Sequence, residues 1–226
     1  MLKKLLIVVV AVVCGASNSF GDIIFQIVSA DPSSTVVGQA TGVLGTGYSR
    51  GAGLAAQGGG STFNSDNFTL NGTETSAVAN NDFVQWSFTS SNAYDLQNFD
   101  IRYDRSPQGP INIRIDFQSN GGVFSTVFVD TSVDADGENN IGISLNSTGV
   151  TSGVFRLYGW GATSTAGTFD LENASAIGTN AGNNVSFELH GITAVPEPSS
   201  IALFSLMGCT GLIAVYRRRR AKFKVA

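Results

Sequence analysis

The sequence predicts an all-β protein: a two-sheet antiparallel β-sandwich or jelly roll, flanked by an N-terminal signal helix and a C-terminal transmembrane helix. Three observations carry this. Short runs through the middle of the chain alternate apolar and polar residues, the period-2 pattern of half-buried strands. Clusters of Gly, Pro, Asn, Asp and Ser separate the runs, as turns do. No helical periodicity appears outside the two ends of the chain. Many short strands with turns between them close most readily into a sandwich. A right-handed β-solenoid is the alternative, but no fixed repeat period is visible.

The elements follow in chain order. Met1-Leu2-Lys3-Lys4 precedes an apolar run, Leu5–Val13, too short to span a bilayer; together they read as a secretory signal over residues 1–21. Cleavage after Gly21 places Ser19 and Gly21 at the small-residue positions, and cleavage after Ala16 is the alternative. Ile23–Val28 reads as an edge strand. Val36–Ser61 is rich in Gly, Ala, Ser and Thr and is expected to form long surface loops. Asp82–Thr89 puts Val84, Trp86 and Phe88 on one face, and Phe99–Asp104 alternates in the same way. Ile111–Gln118 alternates without a break, between the turns Ser106–Pro110 and Ser119–Gly122. Gly122–Asp130 and Ile141–Leu145 read as further strands. Val154–Trp160, Thr168–Glu172 and Val185–Ile192 present the pairs Phe155/Leu157, Phe169/Leu171 and Phe187/Leu189 to a core.

The domain so defined, residues 22–194, has an uneven charge balance. Its basic residues are the five arginines Arg50, Arg102, Arg105, Arg114 and Arg156, against sixteen acids, a net −11 with no lysine. Such a surface repels nucleic acid and anionic headgroups, which excludes a nucleic-acid role. Cys14 falls in the signal and Cys209 in the tail, so the domain has no cysteine for a disulfide or a thiolate metal site.

The last stretch, residues 195–226, has three parts in order: Val195, Pro196, Glu197 and Pro198; the uncharged run Ser199–Tyr216; and Arg217, Arg218, Arg219 and Arg220. The two prolines hold their neighbours extended, so a helix cannot run back into the domain. Eighteen helical residues span roughly 27 Å, close to a bilayer's hydrocarbon core. The arginines stop the span and hold the C-terminus in the cytoplasm. Only six residues follow them.

These three parts resemble the PEP-CTERM sorting signal of Gram-negative bacteria. The resemblance implies recognition by exosortase, an integral-membrane protease or transpeptidase, and hosts that make exopolysaccharide and biofilm. The run from Phe83 to Phe117 with its Gly109-Pro110 step resembles the jelly-roll domain that often precedes this tail. So do Phe155–Trp160, Ala166-Gly167-Thr168 and the strand ending at Gly191. Gly121-Gly122 and the acidic Val133–Asn140 depart from that pattern.

Candidate chemistry is sparse. Arg156, Tyr158 and Trp160 share the strand face opposite Phe155 and Leu157, an arrangement that stacks on sugar rings if it meets solvent. Packing beneath a loop is the competing reading. Asp134, Asp136 and Glu138 alternate around Gly137 and offer oxygens to Ca²⁺, without the spacing of a dedicated calcium loop; an acidic solvated turn explains them equally. His190 is the one histidine and is expected at the surface without a nucleophile to serve. Glu172 and Glu188 are expected to point outward, and a glycosidase pair built from them is outweighed by solvated acids on a sheet face. The expected function is therefore an exported, non-enzymatic structural protein of the cell surface or matrix, without a cofactor. It is held in the inner membrane by its tail before processing. The alternative is a carbohydrate-binding module for exopolysaccharide.

Overall fold

The computed structural model describes residues 21–30, 33–58, 62–174 and 184–194. The signal segment and the tail lie outside the described residues. So do residues 31–32, 59–61 and 175–183.

The described chain is antiparallel and all-β but for one short helix. In order it forms β1 (Asp22–Ser29), β2 (Ser34–Val37), β3 (Val43–Gly45), β4 (Ser49–Arg50), β5 (Ala55–Ala56), β6 (Thr62–Asp66), α1 (Glu74–Asn80), β7 (Phe83–Arg105), β8 (Asn112–Ser119), β9 (Ser125–Asp130), β10 (Glu138–Trp160), β11 (Phe169–Glu172) and β12 (Phe187–Thr193). Two strands of 23 residues, β7 and β10, are the spine. The sequence divides each of them in two; the structure joins the halves. Register shifts at Asn140/Ile143, Ser144/Ser147, Ser147/Val150 and Val150/Ser152 are where β10 bulges. Gly142, Asn146 and Gly149 sit there with positive φ, and Asn146 and Gly149, between the two runs that read as strands, are bulges that bend a continuous strand.

The bend gives each half its own neighbours. Phe83–Thr89 of β7 lies between β10 and the short β3 and β4. The opposite half of β10 continues to β8 and then β9. The later half of β7 pairs with β12, and beyond β12 come β1 and β2. β1 is therefore an interior strand, not an edge, because Ser34–Val37 pairs with its outer side. The same pairing puts strand where the 36–61 stretch reads as loop: β2 through β5 are short rungs whose small residues leave little periodicity to detect.

The two halves meet through aromatic rings. Phe25 of β1 lies 5.7 Å from Phe88, and Trp86 lies 5.2 Å from Phe187 of β12. Trp86 also stacks on Phe155 at 5.3 Å and 6°. Among the described residues the buried cluster runs from Ile24 to Leu189.

The helix α1 has no counterpart in the sequence reading. Thr73 accepts from the Ser76 backbone N–H while Ser76 Oγ accepts from the Thr73 N–H, a closed capping box. Asn81 ends the helix at φ 61°. Seven residues with only Ala77 buried are too few to show a helical period.

Candidate functional site

All five arginines of the domain are engaged at home, which leaves the exterior to the acids. Arg50 donates to Ser65 Oγ and Asn64 O and lies over Phe63 at 3.8 Å. Arg102 pairs with Glu172 at 3.1 Å, and Arg105 donates to the carbonyl oxygens of Val133, Ser106 and Pro107. Arg114 bridges Glu74 and Asp116. Arg156 donates to Gln85 Oε1 at 2.8 Å, with its guanidinium 4.7 Å from Phe83 and 4.4 Å from Phe124.

The expected sugar platform is only partly presented. Arg156 and Trp160 are half-buried, but Tyr158 is 5% exposed. Strand parity places its ring opposite Phe155 and Leu157, as expected. There it meets the edge of Phe83 at 5.5 Å and lies under the Arg114 guanidinium at 5.1 Å, so packing and not solvent takes that face. What remains outward is Arg156 held between Phe83 and Phe124.

The acidic turn closes on itself. Glu138 Oε1 accepts from the Asp134 N–H at 2.9 Å, and Asp134 Oδ1 accepts from the Asp136 N–H at 3.0 Å. These are turn-forming hydrogen bonds, and the three carboxylates do not converge.

Two other groups do converge among the described residues. The first is Asp104, Asp170 and Glu172. Asp170 of β11 lies directly opposite Asp104 of β7, two like charges in register. Burial, then Glu172 and Asp104, push the Asp170 carboxyl up to about 7, against a hydrogen bond from Thr62. Burial likewise raises Asp104.

The second group is Asp100, Glu188 and His190, and it corrects the expectation for His190 and Glu188. Neither faces solvent: Glu188 is 0% exposed, His190 1% and Asp100 2%. His190 Nε2 lies 3.0 Å from Glu188 Oε1 and 3.5 Å from Asp100 Oδ2. Burial alone would push the imidazole down, but Asp100 and Glu188 outweigh it and raise it to about 9. Alternation along β12 puts both residues on the face opposite Phe187 and Leu189. It cannot say that this second face is covered as well. Glu172 and Glu188, weighed as an acid pair, stand in separate groups.

A cleft of about 320 Å³ opens beside α1, lined by Asn67, Thr69, Leu70, Asn80, Asp82 and Thr165 among others. The carboxylate of Asp82, 1% exposed, accepts from the Thr69 N–H at 2.8 Å, and Asn80 Nδ2 donates to Thr69 Oγ1 at 2.6 Å. Its size is at the lower end of small-molecule sites, and its lining mixes amides, hydroxyl groups and one acid with Phe68 and Leu70.

At its C-terminal end the domain is closed by β12 and by the Ala194 N–H, which donates to Ala93 O at 2.8 Å. Among the described residues no helix is long and apolar enough to cross a membrane; Ser199–Tyr216 lies outside them. The described residues thus form an antiparallel β domain closed by β12. Residues 194–220 match the PEP-CTERM protein-sorting motif.

None of the curated proteins matches the chain. Among solved structures, the chain is similar to a mutant of CBM29-2, a family 29 carbohydrate-binding module, complexed with mannohexaose. Identity is 10% and the TM-score 0.38, over 75% of this chain and 92% of that one. A second mutant of CBM29-2 is 12% identical at a TM-score of 0.36, over 75% and 90% of the two chains. An F5/8 type C domain from Bacteroides fragilis is 13% identical at 0.30, over 76% and 99%.

Proposed function

We propose that the protein is an exported structural component of a Gram-negative cell surface or extracellular matrix, sorted by its tail and without catalytic activity. The observation that carries this is the PEP-CTERM motif at residues 194–220, which begins one residue after β12 ends. In this reading Leu5–Val13 directs export and Ser199–Tyr216 holds the chain in the inner membrane, with Arg217, Arg218, Arg219 and Arg220 on the cytoplasmic side. Val195, Pro196, Glu197 and Pro198 are the motif that an exosortase recognises. The five engaged arginines and the −11 balance of residues 22–194 suit a domain that stays in water among neutral glycans. A chain ending at Ala194 is expected to miss its normal surface location. If it reaches that location unaided, the tail is not the sorting signal.

A second reading, a carbohydrate-binding module for exopolysaccharide, is favoured by one feature. The partly exposed Arg156 guanidinium lies 4.7 Å from Phe83 and 4.4 Å from Phe124, with Trp160 on the same strand face. Tyr158 packs against Phe83. A glycan array probed with the exported domain tests it: Trp160→Ala abolishes a signal that depends on this face. A domain that binds no glycan leaves the structural reading alone.

A further inference from the structure

From the buried residues on the outer face of β12 we infer a binding site for one divalent first-row transition metal, of the Zn²⁺ class, with His190 Nε2, Glu188 Oε1 and Asp100 Oδ2 as ligands. Glu188 and His190 are two apart on β12 and share a face, and Asp100 of β7 is the direct cross-strand partner of Glu188. Backbone register alone therefore brings the three together. Their donor atoms lie within 4.8 Å of one another.

The outer oxygens are already held. Asp100 Oδ1 accepts from the Gly142 N–H at 2.6 Å, at the first bulge of β10. Glu188 Oε2 accepts from the amide of Gln26, which lies opposite it on β1. Both carboxylates are thus turned to aim their remaining oxygen at the imidazole, as second-layer hydrogen bonds orient metal ligands.

The histidine supplies the independent observation. Although 1% exposed, it has no hydrogen-bond partner at either Nδ1 or Nε2. Its nitrogen is close to both carboxylates but off-line for a hydrogen bond. A buried ring left unsatisfied in this way is uncommon, and a ligand between the three donors explains it.

Distances fit the same assignment. Metal bonds of about 2.1 Å place neighbouring donors roughly 3.0 Å apart at octahedral and 3.4 Å apart at tetrahedral angles. The observed separations are 3.0 and 3.5 Å. The donor types select the metal, since imidazole suits Zn²⁺ and its neighbours whereas Ca²⁺ and Mg²⁺ take oxygen alone. Charge agrees: one divalent ion cancels the two carboxylates once it displaces the imidazole proton, in a place where net charge is costly. The ion would pin β7 to β12, with Gln26 of β1 bracing one ligand.

Because His190 is the sole histidine, its ring is a clean reporter. The test uses tag-free full-length chain in detergent, stripped with EDTA and titrated with Co²⁺ and then Zn²⁺. One equivalent of Co²⁺ is expected to give visible d–d bands and to move the ring protons of His190 far outside the diamagnetic range, with Zn²⁺ displacing it. Asp100→Asn, nearly isosteric, is expected to weaken binding at least tenfold, and Gln26→Ala by about tenfold, as outer-layer losses do. Asp170→Asn, in the other acidic group, is expected to leave the affinity unchanged. If the wild type takes up no Co²⁺ at one equivalent, or takes it up without shifting the His190 ring, the site does not exist. Should the variants fail to fold, the wild-type ring shift alone decides.

Discussion

Replacing Phe155 with alanine removes the ring on which both halves of the fold converge. Its centroid lies 4.6 Å from Phe117 and 5.3 Å from Trp86 on the adjoining strands. Across the core it lies 5.6 Å from Phe99 and 5.4 Å from Phe187. The side chain is fully buried. Truncation of a buried Phe costs about 3–5 kcal/mol, the higher figure where the site cannot collapse. Here four rings hold the walls apart, and each aromatic pair adds roughly 0.5–1.5 kcal/mol to the area buried. The expected loss is therefore at the top of that range, about 5 kcal/mol, a large share of the ~5–15 kcal/mol that a domain has. Phe124→Ala makes the same chemical change on the outer face, where the ring is half-buried, and is expected to cost about 1 kcal/mol. Urea unfolding of residues 22–194, followed by circular dichroism and tryptophan fluorescence, measures both. A Phe155→Ala loss below about 2 kcal/mol would mean that the site collapses freely, and that the two halves are not joined through this ring.

Two further outcomes test the packing and the acidic group. Gly153→Ala puts a methyl carbon 2.5 Å from Phe88 Cε1 and 2.7 Å from Phe117 Cε2, both on buried rings, and is expected to lower stability by about 1–3 kcal/mol in the same assay. Asp170 is held protonated up to about 7 in the fold, against 3.8 for its ordinary value. The native state thus keeps a proton that the unfolded chain releases first, and stability falls as pH rises from about 4 through 7. Asp170→Asn removes this fall: in EDTA its urea midpoint relative to wild type is expected to rise between pH 5 and pH 8. An unchanged gap between the two proteins would show that Asp170 is not held in that way.

Alternation reads well where one face of a strand is core and the other is not. Val84/Trp86/Phe88, Ile113/Ile115/Phe117 and Phe155/Leu157 all lie where the pattern puts them. It fails in three physical circumstances. Asn146 and Gly149 look like strand ends, but positive φ lets them bulge while the ladder continues on either side. A seven-residue helix held by its caps carries no periodic signal. Most consequential for the candidate sites, parity assigns a side chain to a face without saying what covers that face. Tyr158 was placed opposite Phe155 correctly and is nevertheless packed under Arg114. Glu188 and His190 were placed opposite Phe187 correctly and are nevertheless buried with Asp100. One legible clue was the Glu-x-His spacing on β12 next to an aspartate in another strong strand; only the cross-strand register, Glu188 against Asp100, turns it into a cluster.

That the tail is a sorting and processing signal is tested most directly by the intact mass of the protein recovered from outside the cell. A C-terminus within Pro196–Pro198, with the Ser199–Tyr216 run removed, is the expected result. Extracellular protein that still carries Arg217–Arg220 would contradict it.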